Sequence, residues 1–286
     1  MATGHKRPPT STGAETVAAE ESRQISINRP QHFVLVHGAG HGAWTWYKLK
    51  PRLEAAGHRA TVLDLAASGV NRRSIEEVFT FSEYSQPLLN FLRDSVPPGE
   101  RVVLVGHSLG GLSVALAADM FSDKVAAVVF LTAFVPDTVH KPSYVLEQYM
   151  ATAPKERWRD TVFRPYGDGD QEGSAMIFGP QFLSLLYQLS PGEDLELAKT
   201  LVRPSSLFIN DLSSQEELSD DGFGSVTRVF IVCNEDKGIS EEFQRWMIRN
   251  SGIENVAEIG GADHMPMFSK TQELCQCLLV IANKYT

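Results

Sequence analysis

A chain of 286 residues, 43% hydrophobic and 21% charged, can bury a core large enough to fold without disulfides or metals. Its formal net charge of −9, with no basic run, excludes a nucleic-acid footprint, and no apolar stretch reaches the ~18 residues of a membrane span. Three cysteines, an odd number, argue against a secreted disulfide framework, and no Cys/His spacing matches a zinc site, so neither metal nor cofactor is expected.

Residues 1–30 are polar, rich in Ala, Ser, Thr and Glu, and lack the apolar centre of a secretory signal. Glu15, Glu20 and Glu21 count against an organellar transit peptide, so the segment reads as a disordered tail on a cytoplasmic protein, with an unrecognised plastid address as the alternative. Order begins at residue 31 and is read as one domain to residue 286.

The run from His32 to His37 is nearly all apolar, as in strands buried on both faces. A loop with three glycines, from Gly38 to Gly42, leads to a helical stretch over Trp44 to Ala56 that Gly57 closes. Arg59 to Leu63 is the second strand and Ser74 to Asp94 the next helix, with Pro97-Pro98-Gly99 as punctuation. Arg101 to Val105 is the third strand, running into Gly106-His107-Ser108-Leu109-Gly110-Gly111 and a small-residue helix over Leu112 to Phe121; Val125 to Leu131 is the fourth strand. Strands alternating with helices of this length predict a mostly parallel sheet with right-handed crossovers.

From about 136 to 212 the alternation stops. Aromatics and helix-like pieces there, among them Tyr144, Tyr149, Trp158, Phe163, Phe178, Phe182 and Tyr187, read as a cap inserted over the sheet. The pattern then resumes with a strand over Val226 to Cys233, a helix from Ser240 to Arg249, a strand over Val256 to Ile259 and a closing helix from Thr271 to Lys284.

Gly106-His107-Ser108-Leu109-Gly110 fits the G-x-S-x-G nucleophile elbow, with a strand before it and a helix after it. The turn is sharp, so the flanking residues must lack bulk, and the serine is presented at a helix N-terminus. Serine needs a base. Only His264 lies downstream of both elbow and insertion, on the glycine-rich loop after the last strand. The acid should follow the preceding strand: Asp236 is preferred, with Glu235, Asp211 and Asp263 as competitors. An oxyanion hole would take its amides from Leu109, after the nucleophile, and from Ala39 in the first glycine loop. His37, His41 and His107 lack a partner acid and read as packing or loop-ordering groups.

With these residues assembled, the chain resembles the plant methylesterases, α/β-hydrolases that include salicylic acid-binding and methyl jasmonate esterases and are related to hydroxynitrile lyases. The likeness runs from about His32 to the C-terminus. It rests on Phe33-Val34-Leu35-Val36-His37-Gly38-Ala39, Leu63-Asp64-Leu65-Ala66-Ala67-Ser68-Gly69, the elbow, Val145-Leu146-Glu147-Gln148-Tyr149, Leu201-Val202-Arg203-Pro204-Ser205-Ser206, Asn234-Glu235-Asp236-Lys237-Gly238-Ile239 and Gly261-Ala262-Asp263-His264-Met265. The resemblance implies a triad of Ser108, Asp236 and His264, oxyanion donors at Ala39 and Leu109, and a substrate pocket lined by Gly38, Tyr149, Trp158, Phe163 and Met265. It also implies methyl esters of small hormone-type acids as substrates: methyl salicylate, methyl jasmonate or methyl indole-3-acetate. Lyases of this kind carry a threonine at the position of Gly38 and a lysine at that of Met265, and neither is present here. A hydroxynitrile lyase of the same family and a protein that binds such acids without turnover are the two alternatives. No long apolar stripe demands a partner chain, which leaves a homodimer open.

Overall fold

The computed structural model describes Met1 and residues 30–152, 154–168 and 172–285, with only the backbone of Lys155. The tail expected over residues 1–30 thus lies almost wholly outside the described residues.

The first strand, β1 (His32–Val36), explains the architecture in five residues. Phe33 and Leu35 join one apolar cluster, Val34 and Val36 join another, and all four are fully buried. A strand with no polar face needs a helical layer on each side. Behind the glycine loop come a single 3₁₀ turn at Ala43–Trp46 and α1 (Leu49–Ala55), where one continuous helix was expected. Next are β2 (Arg59–Leu63) and α2 (Phe81–Ser95). The helix expected from Ser74 starts late because two capping boxes compete. Ser74 with Glu77 closes one 3₁₀ turn, Val78 is extended, and Thr80 with Glu83 opens the true helix.

The chain continues through β3 (Val102–His107), α3 (Gly110–Met120) and β4 (Val125–Leu131). Between β4 and the next sheet strand lie α4 (Tyr144–Thr152), the antiparallel pair β5 (Val162–Tyr166) and β6 (Gly173–Ile177), α5 (Pro180–Leu186), α6 (Gly192–Leu201) and α7 (Ile209–Ser214). The two strands correct the reading of this insertion as helix-like pieces. Val162-Phe163-Arg164-Pro165-Tyr166 is strand-prone, and the Gly/Asp-rich residues that follow are a turn signal. The fold closes with β7 (Arg228–Cys233), α8 (Glu241–Ser251), β8 (Asn255–Ile259), α9 (Pro266–Ser269) and α10 (Thr271–Tyr285).

The main sheet has the order β2-β1-β3-β4-β7-β8, and every pairing in it is parallel. Leu49 and Leu53 of α1 and Leu274 and Leu278 of α10 cover one face; Leu88 of α2, Val114 of α3 and Met247 of α8 cover the other. With all strands aligned, the loops after β1, β3, β7 and β8 emerge along one edge, where ligands of open α/β sheets bind. Among the described residues no helix is long and apolar enough to cross a membrane.

Candidate active site

Ser108 sits between β3 and α3 with φ +54°, a left-handed conformation that costs an L-residue about 1–2 kcal/mol. Its carbonyl accepts hydrogen bonds from Gly111 N at 3.1 Å and Phe134 N at 3.0 Å, which hold the turn. The glycines on either side are required by space. A Cβ on Gly106 would stand 2.6 Å from the Gly110 carbonyl oxygen, and one on Gly110 would stand 2.5 Å from that of His37. The elbow is therefore packed backbone against backbone, with the β1 loop pressed on the start of α3.

That loop carries Gly38 and Ala39, and two imidazoles orient it. His37 Nδ1 donates to the Gly38 carbonyl at 2.8 Å while its Nε2 accepts from Leu65 N at 3.1 Å. Since the peptide is planar and trans, fixing the Gly38 carbonyl also fixes the opposed Ala39 N–H. His41 Nδ1 donates to the Ala39 carbonyl at 2.8 Å, and the Tyr187 hydroxyl donates to His41 Nε2 at 2.9 Å. Among the described residues no turn, loop or cap hydrogen bond uses the amide of Ala39 or of Leu109.

Burial holds both imidazoles neutral: it lowers the His37 pKa and takes that of His41 from 6.5 to about 3. The unfolded chain then binds the His41 proton first, so stability is expected to fall as pH drops below 6.5 and to go on falling toward 3. At pH 5 the cost from His41 is about 2 kcal/mol. Urea midpoints at pH 7 and pH 5 should separate accordingly, and by less in His41→Gln.

His264 follows β8 on a turn that Gly261 makes at φ +69°, with Gly261 N donating to Asn234 Oδ1 at 2.8 Å. Its carbonyl accepts from His107 Nε2 at 2.7 Å, and the two rings pack 4.8 Å apart. Its Nδ1 donates to Asp236 Oδ2 at 2.7 Å, which leaves Nε2 as the nitrogen available to the cavity. Asp236, just past β7, is 3% exposed and fully hydrogen-bonded. Oδ2 also accepts from the Thr132 hydroxyl at 2.5 Å, while Oδ1 accepts from Gly238 N at 2.6 Å and Ile239 N at 2.9 Å.

The competing carboxylates do other work. Asp263 ties its own loop to Met265 N, Leu189 N and the Ser190 and Ser269 hydroxyls. Asp211 accepts from Phe81 N and Gln215, and Glu235 pairs with Lys237 at the surface.

One cavity gathers these groups. Ser108, His264, Gly38, Ala39, His41 and Leu109 form its floor, and Tyr149, Trp158, Phe178, Phe182 and Leu186 descend from the insertion as its roof. Its lining is mostly apolar with a few polar groups on the floor, as in small-molecule sites. Among the described residues no hydrogen bond joins the side chains of Ser108 and His264, a contact that commonly tightens only around substrate. The Tyr149 hydroxyl donates to the Gly238 carbonyl at 2.8 Å, where Arg157 also donates at 3.0 Å, so the roof is tied to the loop bearing Asp236.

Two residues nominated for the pocket fall elsewhere. Met265 is fully buried and does not line the cavity; its amide donates to Asp263 Oδ1 at 2.9 Å. Phe163 is 43% exposed on β5, packs T-shaped against Trp158 and lines a different cavity. Conversely Phe134, Met176, Leu207 and Ile239 line the cavity without having been nominated. They are ordinary apolar residues whose sequence context marks them only as buried.

Known proteins resemble this chain over most of its length. The model described as "Alpha/beta hydrolase family" matches residues 33–276. Salicylic acid-binding protein 2 of Nicotiana tabacum is 57% identical over 256 residues, 89% of this chain and 98% of that protein. Methylesterase 1 of Arabidopsis thaliana is 57% identical over 259 residues, covering 90% and 98%. The crystal structure of polyneuridine aldehyde esterase superposes with a TM-score of 0.86 at 47% identity, covering 89% of this chain and all of that one. The chain thus belongs to the alpha/beta hydrolase family, among its plant methylesterases, and is a carboxylic-ester hydrolase.

Proposed function

We propose that the protein hydrolyses methyl esters of compact aromatic or cyclic acids by acyl transfer through Ser108, with His264 as base and Asp236 as its orienting acid. The observation that carries this reading is the convergence of Ser108, the hydrogen-bonded His264–Asp236 pair and the Ala39 and Leu109 loops on one apolar cavity. Ser108 Oγ attacks the ester carbonyl as His264 Nε2 takes its proton. The tetrahedral oxyanion forms against the Ala39 and Leu109 amides, each worth about a hundredfold to a thousandfold in turnover. Methanol leaves with the proton from His264, and water repeats the sequence on the acyl-enzyme to free the acid. Gly38 bears on the choice between hydrolysis and lyase chemistry. A Cβ there would lie 2.8 Å from Ser108 Cβ and 3.3 Å from its Oγ, so glycine keeps the space beside the nucleophile open to an ester.

Phe178, Phe182 and Trp158 offer a flat ring apolar surfaces. Methyl salicylate, methyl jasmonate and methyl indole-3-acetate are the substrates the family resemblance implies, the first having a relative named for its acid. Methanol release from a panel of these three, with mandelonitrile alongside, tests the reading. Release from at least one ester is expected; cyanide release alone, or saturable binding without methanol, would refute it.

A further inference from the structure

The cavity of Ser108 and His264 shares a wall with a second one. Met176 and Leu207 line both, so the wall is a single side chain thick at each of these residues. The outer chamber lies among the β5–β6 hairpin, the turn before α2 and the start of α7, walled by Phe79, Met150, Phe163, Tyr166, Phe208 and Ile209. It is roomier than the inner chamber. Met150 and Phe163 stand partly exposed in its lining, beside the exposed Glu172, Ser174 and Asn210.

The wall is held by backbone. Met176 N donates to the Ser205 carbonyl at 2.6 Å and Ser205 N donates back to the Met176 carbonyl at 3.0 Å, an isolated bridge between β6 and the strand-like segment before α7. Directly after Leu207 the chain turns at Phe208, in the left-handed region at φ 52° and ψ 32°. Met176 is 2% exposed. The backbone that carries each side chain is fixed by its bridge or its turn.

We infer that Met176 and Leu207 set the length of acid the enzyme accepts. They stop the acyl group inside the inner chamber, and the outer chamber is the space a linear acyl chain enters once either is trimmed. This rests on the hydrolytic reading above and names its substrate class: methyl esters of compact acids, with linear long-chain esters excluded by the wall. One extra methylene pressed against a closed apolar wall changes kcat/KM by about 10- to 200-fold, so the effect is large enough to read.

The test measures kcat/KM for methyl benzoate and for linear methyl esters from butanoate to decanoate in the wild type, Met176→Ala and Leu207→Ala. The decanoate-to-benzoate ratio is low in the wild type and rises about tenfold or more in each trimmed variant. Ser174 lines the outer chamber but not the inner one and is exposed on β6, so Ser174→Trp fills the outer space. Added to Met176→Ala, it returns the ratio toward the wild-type value, which a general loosening of the fold would not do. If one trimmed variant fails to fold, the other decides. No rise in the ratio, or a rise that Ser174→Trp leaves in place, overturns the inference. Absence of methanol from every ester in the wild type would instead sink the hydrolytic reading. The wall is then judged by calorimetric binding of decanoate against benzoate to the same variants, with the same change in ratio expected.

Discussion

Replacing Ser108 with alanine is expected to lower kcat on the best methyl ester by about 10⁵- to 10⁶-fold while leaving the product acid bound nearly as tightly as before. The hydroxyl is the only atom removed, and the turn that presents it is held by main-chain bonds to Gly111 and Phe134 that alanine keeps. What survives is the catalysis that oriented amides and burial supply without a nucleophile, about 10³- to 10⁴-fold over water. If Ser108 and His264 act as one unit, Ser108→Ala combined with His264→Ala should be scarcely slower than either alone. Steady-state kinetics with calorimetric titration of the acid checks both statements. A Ser108→Ala variant within tenfold of wild-type turnover would remove the serine from the mechanism.

The strands and the elbow were legible because their causes are local. Phe33, Val34, Leu35 and Val36 leave no polar face, and a chain that buries both faces of a strand builds a parallel sheet between two helical layers. Gly106 and Gly110 mark the elbow because no other residue fits where strand and helix meet. Boundaries were less legible where two local signals compete, as Ser74–Glu77 and Thr80–Glu83 do over the start of α2.

The substrate pocket was the hardest to read, for a physical reason. Burial of an aromatic residue is a sequence property, but which of two cavities it faces depends on how the insertion lies over the sheet. Phe163 and Phe182 look alike in the sequence, yet one lines the outer chamber and the other the inner. Met265 adjoins the base in sequence, yet its side chain is fully buried and does not line the inner chamber. His37 and His41 read from the sequence as packing or loop-ordering groups, but which carbonyls their Nδ1 atoms reach is decided only by the fold.

Asp236→Asn should cost about 10⁴-fold in kcat, although it changes one atom and leaves the volume nearly the same. The environment decides which way the amide turns. Oδ1 occupies a site defined by two N–H donors, from Gly238 and Ile239, and only an acceptor can sit there. The asparagine oxygen therefore takes that place, and its NH₂ is forced into the position of Oδ2, facing His264 Nδ1. A donor now meets a donor, so the imidazole is driven to the tautomer with its proton on Nε2. That nitrogen then has no lone pair with which to accept the Ser108 proton. The Thr132 hydroxyl, which donates to Oδ2, can rotate and accept instead, so the substitution is absorbed without unfolding. Kinetics together with ¹⁵N spectra of the His264 ring distinguish this from structural damage. An unchanged melting temperature, a lone proton on Nε2 and the large loss of kcat are expected together. A fall of less than tenfold, or a ring still protonated on Nδ1, would mean that Asp236 holds its loop in place and does nothing for the base.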